Sequence, residues 1–212
     1  MTFIKICGLR DEASVDVAAQ LNVDAVGLVF AESARMVRPE DAAPLVRRVP
    51  DSVLPVGVFK GIDIADVIAA AETTGLRTVQ VHDLTSADDV LRLHAAGLDV
   101  IRAAVAGHLR DGYALDFGED RLLLDGATAG AGIPWDWSAR SAVPSGPWIL
   151  AGGLDPSNVA DALAATGATG VDVSSGVESS RGVKDHDLMA KFVAAVRTVK
   201  PGRQPDHRTP KP

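Results

Sequence analysis

Eight short β-rich segments recur along this chain, each followed by a stretch of helical character: Phe3 to Cys7, Ala25 to Phe30, Pro55 to Phe59, Thr78 to His82, Val100 to Val105, Leu122 to Asp125, Trp148 to Ala151 and Val171 to Ser174. Their spacing of roughly 20 to 30 residues leaves room for one crossover helix per unit, the connection parallel strands require. Eight such units predict an α/β fold, a single-domain (β/α)8 TIM barrel. An open doubly wound sheet normally uses fewer strands, and no Gly-x-Gly-x-x-Gly phosphate fingerprint follows the first segment.

Helix boundaries carry their own signals. Asp11 is placed to cap a helix running to Leu21, Ser86 with Asp89 three residues on opens a helix to Ala96, and Asp155 before Pro156 marks a start ahead of the run through Ala165. A last helix is expected from about Asp185 to Val199. The unit between Gly107 and Gly118 is the least regular, and its helix is expected to be short. No Pro/Gly-rich or polar linker divides the 212 residues, so one catalytic-sized domain, residues 1–200, is expected. From Pro201 to Pro212 no apolar anchor remains, and this stretch reads as a disordered tail.

Composition narrows the partners. A net charge of −7 with no Lys/Arg-rich run argues against nucleic-acid binding. No apolar run reaches membrane-span length, and the first residues lead straight into a strand rather than a cleavable leader. One cysteine excludes an internal disulfide and a cysteine-rich metal site; the natural compartment is a reducing cytoplasm.

Three glycine-containing stretches carry chemistry: Lys5-Ile6-Cys7-Gly8-Leu9-Arg10, Leu122-Leu123-Leu124-Asp125-Gly126, and Val171-Asp172-Val173-Ser174-Ser175-Gly176-Val177-Glu178. Each is an apolar run that stops at a reactive or phosphate-friendly residue. In a barrel the active face lies at the carboxyl ends of the strands. Cys7, Arg35, His82, Asp125, Gly152-Gly153 and Ser174-Ser175-Gly176 all fall there and are expected to converge.

Side chains two apart on a strand share a face. If Cys7 and Asp125 point inward, so do Lys5 and Leu123, while Ile4 and Ile6 face the helices; Asp172 joins Ser174 inside, and Gln80 joins His82. Closure makes the first and last strands neighbours, so Lys5 and Asp172 are expected to pair in the interior, where either charge alone is costly to bury. Gly152-Gly153 and Ser174-Ser175-Gly176 end adjacent strands, where such barrels offer backbone N–H groups to a phosphate. Cys7 as a small core residue, Asp125 as a turn cap, His82 as a packed histidine and Arg35 as a solvated one are the structural alternatives.

Six stretches taken together resemble one family: Lys-Ile-Cys-Gly-Leu, Gly-Leu-Val-Phe with Ser-Ala-Arg, Val-Gly-Val-Phe, Val-Gln-Val-His, Ala-Gly-Gly-Leu-Asp-Pro-Ser-Asn-Val, and Gly-Val-Asp-Val-Ser-Ser-Gly-Val-Glu. In order, from Met1 to about Val199, they are similar to phosphoribosylanthranilate isomerase of tryptophan biosynthesis. The resemblance implies a (β/α)8 barrel and an Amadori rearrangement of a phosphorylated aminoaldose to an aminoketose, with neither metal nor organic cofactor, in a monomer or homodimer. It further implies that Asp125 is the general acid and Cys7 the general base, that Arg35 holds the anthranilate carboxylate, that His82 contacts the substrate, and that Asp172 contacts the ribose-chain hydroxyls. That last role competes with the Lys5 pairing.

Some positions depart from the family pattern. Ala34 stands where a proline is usual and Asp83 where a glycine is usual. Ala129-Gly130-Ala131-Gly132 replaces Gly-Gly-Thr-Gly in the loop beyond Asp125, which is expected to change loop closure and catalytic efficiency. The related histidine-pathway isomerase, or a dual-specificity form, uses an aspartate at the end of the first strand, so Cys7 favours the single-substrate reading. A non-catalytic phosphate-binding barrel needs neither Cys7 nor Asp125.

Overall fold

A computed structural model of the chain describes residues 1–105, 117–126 and 146–199. Its eight parallel strands close into a barrel in sequence order: β1 Phe3–Cys7, β2 Ala25–Val29, β3 Leu54–Phe59, β4 Thr78–His82, β5 Asp99–Val105, β6 Arg121–Asp125, β7 Trp148–Leu150 and β8 Gly170–Val173. The expected architecture is the one observed. β1 closes on β8 with Lys5 opposite Asp172 and Ile6 opposite Val173.

Around the strands lie α1 Glu12–Gln20, α2 Pro39–Arg48, α3 Ile64–Thr74, α4 Ala87–Ala95, α5 Val159–Thr166 and α6 His186–Thr198. A short antiparallel pair, β9 Glu178–Ser180 and β10 Val183–Lys184, follows a single 3-10 turn at Ser175–Val177. The irregular unit after Gly107, the Ala129–Gly132 loop and the tail from Pro201 lie outside the described residues.

Parallel strands are covered on both faces, and the two faces form separate cores. Ile4, Ile6, Leu122 and Leu124 pack outward against helix residues such as Val15, Met189 and Phe192. Cys7, Val56, Val58, Ile101, Leu123 and Ile149 fill the barrel interior. The expected alternation therefore holds on β1 and β6.

Two caps fall where expected, and a third opens the last helix at its expected start. Asp11 accepts the N–H of Ser14 ahead of α1, Ser86 that of Asp89 ahead of α4, and Asp185 that of Leu188 ahead of α6. The helix after β7 begins later than the Asp155-Pro156 signal suggests. Asp155 Oδ1 accepts from the N–H groups of Ser157 at 2.6 Å and Asn158 at 3.2 Å, forming a turn. Asn158 reaches back to Gly153 O at 2.8 Å and becomes the residue before α5. A carboxylate that bonds the N–H two residues on favours a turn over immediate helix. Among the described residues no helix is long and apolar enough to cross a membrane.

Candidate active site

The carboxyl ends of the strands surround a cavity of about 320 Å³. Cys7, Arg35, His82, Asp125, Gly152, Gly153, Asp172, Ser174 and Ser175 all line it. Residues distributed over the whole sequence thus meet because every strand runs in the same direction and ends at one face. Gly176 is not among the lining residues; a Cβ added there would lie 1.9 Å from Leu154 O, so it packs against the loop after β7.

Lys5 Nζ donates to Asp172 Oδ1 at 3.0 Å. The charge of this wholly buried lysine is opposed by desolvation, but Asp172 and Cys7 outweigh that and hold its pKa above the ordinary value. Cys7, the last residue of β1, is buried too. Burial pushes its thiol pKa up, and Lys5 and Lys184 pull against that rise.

Across the mouth Asp125 ends β6. Burial raises its pKa to about 6, with the Asp172 charge adding to the rise and the Gly126 N–H, 2.8 Å from Oδ1, opposing it. Gly152 makes this enclosure possible: a Cβ there would fall 2.6 Å from Asp125 Oδ1 and 2.5 Å from Gly126 N. The end of β7 therefore closes directly over the carboxyl group, shielding it from water.

His82 Nε2 lies 3.1 Å from Gln80 Nε2. Burial, then the charges of Lys5 and Lys60, lower the His82 pKa to about 4, so the ring is neutral near pH 7 and its Nε2 accepts from the amide. Gln80 is buried against the cavity, and its Oε1 has no hydrogen-bond partner among the described residues. Asp83, where the family pattern has glycine, carries φ +62°, and an aspartate is among the residues that tolerate that backbone region.

Arg35 is clamped. Its Nε and Nη2 donate to the two Glu178 oxygens at 2.7 and 2.9 Å. Lys184 Nζ donates to Glu178 Oε1 at 2.8 Å and to Ser174 O at 2.8 Å, while the Gly182 N–H donates to Glu178 Oε2 at 3.0 Å. Despite burial these donors hold the Glu178 pKa down to about 2. Ser174 Oγ donates to Cys7 O at 3.0 Å, which ties β8 to β1 and commits the hydroxyl proton. No group of three or more His, Cys, Asp or Glu side chains that could hold a metal ion occurs among the described residues.

One cavity with a thiol, a carboxyl of raised pKa, an arginine and two glycine- or serine-rich strand ends suits a small phosphorylated anion and proton-transfer chemistry. The profile of the N-(5'-phosphoribosyl)anthranilate (PRA) isomerase family matches residues 4–195. The chain belongs to the PRA isomerase family. It is an isomerase, as the sequence resemblance implied.

A PRA isomerase of Beijerinckia indica is 41% identical over 207 residues, covering 92% of this chain and 93% of its own. Crystalline TrpF from Jonesia denitrificans is 43% identical, with a TM-score of 0.84 over 94% of this chain and 98% of its own. A PRA isomerase in complex with reduced 1-(o-carboxyphenylamino)-1-deoxyribulose 5-phosphate is 32% identical, with a TM-score of 0.81 over 94% of this chain and 100% of its own.

Sequence reasoning about this PRA isomerase passed over Lys60 and Arg181, which also line the cavity, and the Glu178–Lys184 pair. Lys60 was within reach, since it lies two residues beyond inward-facing Val58. Arg181 sits in the hairpin of β9 and β10, whose path no strand parity encodes.

Proposed function

We propose that the chain converts N-(5'-phosphoribosyl)anthranilate to 1-(2-carboxyphenylamino)-1-deoxyribulose 5-phosphate in tryptophan biosynthesis. The observation that carries this reading is the meeting of Cys7 and Asp125 in one cavity with Arg35 and the ends of β7 and β8. The family relative crystallised with a reduced form of that product supports the choice of substrate.

The first step needs an acid. Asp125 gives its proton to the furanose ring oxygen as the C1′–O bond breaks, and the anilino nitrogen lone pair forms C1′=N⁺. A carboxyl group with a pKa near 6 stays protonated further up the pH scale than an ordinary aspartate. The Cys7 thiolate then takes the C2′ proton. The C–H electron pair becomes the C1′=C2′ bond and neutralises the nitrogen, and the resulting enolamine tautomerises to the ketone. No oxidant or cofactor enters this electron balance.

Arg35 receives the anthranilate carboxylate, its plane set by Glu178. Gly152, Gly153, Ser174 and Ser175 form the phosphate end, where backbone N–H groups serve the anion, and Gly176 packs behind them against Leu154. His82 and Asp172 face the sugar, Asp172 through whatever acceptor capacity the Lys5 contact leaves. All these groups come from one chain, so a monomer or a homodimer serves equally, in the cytoplasm.

The test is the loss of substrate fluorescence, with substrate generated in situ from anthranilate and phosphoribosyl pyrophosphate. Wild-type turnover is expected to fall roughly 10²- to 10⁴-fold in Cys7→Ala and in Asp125→Asn. A folded wild-type protein without turnover would refute the assignment.

A further inference from the structure

The chemistry above leaves Lys5 without a task, although it is 0% exposed and shares the inward face of β1 with Cys7. Burying an ammonium so completely is costly unless it is paired. Asp172, 3.0 Å away, answers part of that cost. A second neighbour is the thiol: a Cβ added at Gly27 would lie 2.8 Å from Cys7 Sγ and 3.1 Å from Lys5 Nζ. Both atoms therefore border the gap that glycine leaves on β2, and each charge acts on the other.

We propose that Lys5 is the positioning residue of the general base: its ammonium, anchored by Asp172, is the counter-ion against which the Cys7 thiolate forms, and Gly27 keeps the two atoms together. This rests on Cys7 acting as the base. A thiolate in a dry cavity needs adjacent positive charge. Lys184 on β10 and Arg35 after β2 also face Cys7, but both are bound to Glu178, whose charge offsets theirs. Asp172 on β8 opposes the thiolate directly and helps it only by holding Lys5 in place.

Cys7 is the sole cysteine of the chain, so the ultraviolet absorbance of its thiolate can be titrated in the full-length protein without substrate, with Cys7→Ser as blank. Lys5→Met is expected to raise the thiol pKa by at least about one unit and to lower kcat/KM at neutral pH about tenfold. Asp172→Asn, whose amide oxygen still accepts from Lys5 Nζ but carries no charge against the thiolate, is expected to shift the thiol pKa down. Opposite signs are a signature that a merely structural pair would not produce. An unchanged thiol pKa in folded Lys5→Met overturns the proposal. Should that variant fail to fold, an unchanged or raised value in Asp172→Asn overturns it instead. Wild-type turnover in Cys7→Ala would refute the base assignment itself, a result the thiol titration does not affect.

Discussion

Asp125→Asn is expected to make the fold more stable while abolishing turnover. The folded protein raises this carboxyl from an ordinary value of 3.8 to about 6, chiefly by burial. The folded state thus holds the proton more tightly than the unfolded chain does. Its contribution is complete below about pH 3.8, is lost as the pH rises to about 6, and stays lost above that. The interval corresponds to about 3 kcal/mol of destabilisation carried by wild type near neutral pH. Asparagine keeps the shape and can still accept the Gly126 N–H through its amide oxygen, yet carries no charge to desolvate. Urea unfolding of both proteins at pH 4 and pH 7.5 measures the effect. The two should differ little at pH 4, with the variant more stable by about 3 kcal/mol at pH 7.5. A stability difference independent of pH would refute the account of Asp125 as a carboxyl whose pKa is raised by enclosure.

Glu178→Gln should loosen Arg35 and raise KM about tenfold with a much smaller change in kcat, the equivalent of one charge-assisted hydrogen bond. It also leaves buried Lys184 without its anion, so denaturation should show a loss of about 3 kcal/mol that Glu178→Gln/Lys184→Met partly restores; an unchanged KM would separate Arg35 positioning from Glu178. Gly176→Ala drives a methyl group against the carbonyl of Leu154. The loop after β7 must move, costing about 1–3 kcal/mol, and competitive inhibition by inorganic phosphate should weaken; full inhibition with unchanged stability would show that the loop yields freely.

Much of the site was legible because strand geometry has a short period. Parity alone put Lys5 with Cys7 and Leu123 with Asp125, and barrel closure then brought Lys5 to Asp172 from the far end of the chain. Caps at Asp11 and Ser86 were legible for the same reason, since a side chain and the N–H it accepts lie within one turn. The start of α5 was misplaced because Asp155 has two local uses, and Asn158, bonded back to Gly153, settled which one prevailed.

Arg35 and Glu178 stand 143 positions apart and meet only because the hairpin of β9 and β10 folds over the loop that follows β2. The neutral state of His82 and the raised pKa of Asp125 depend on how completely neighbouring chain segments exclude water. The sequence by itself determined which residues reach the active face, because side-chain direction along a strand is a local property. Only the tertiary structure decided their partners and protonation states, because desolvation and ion pairing belong to the cavity that all the strands enclose together.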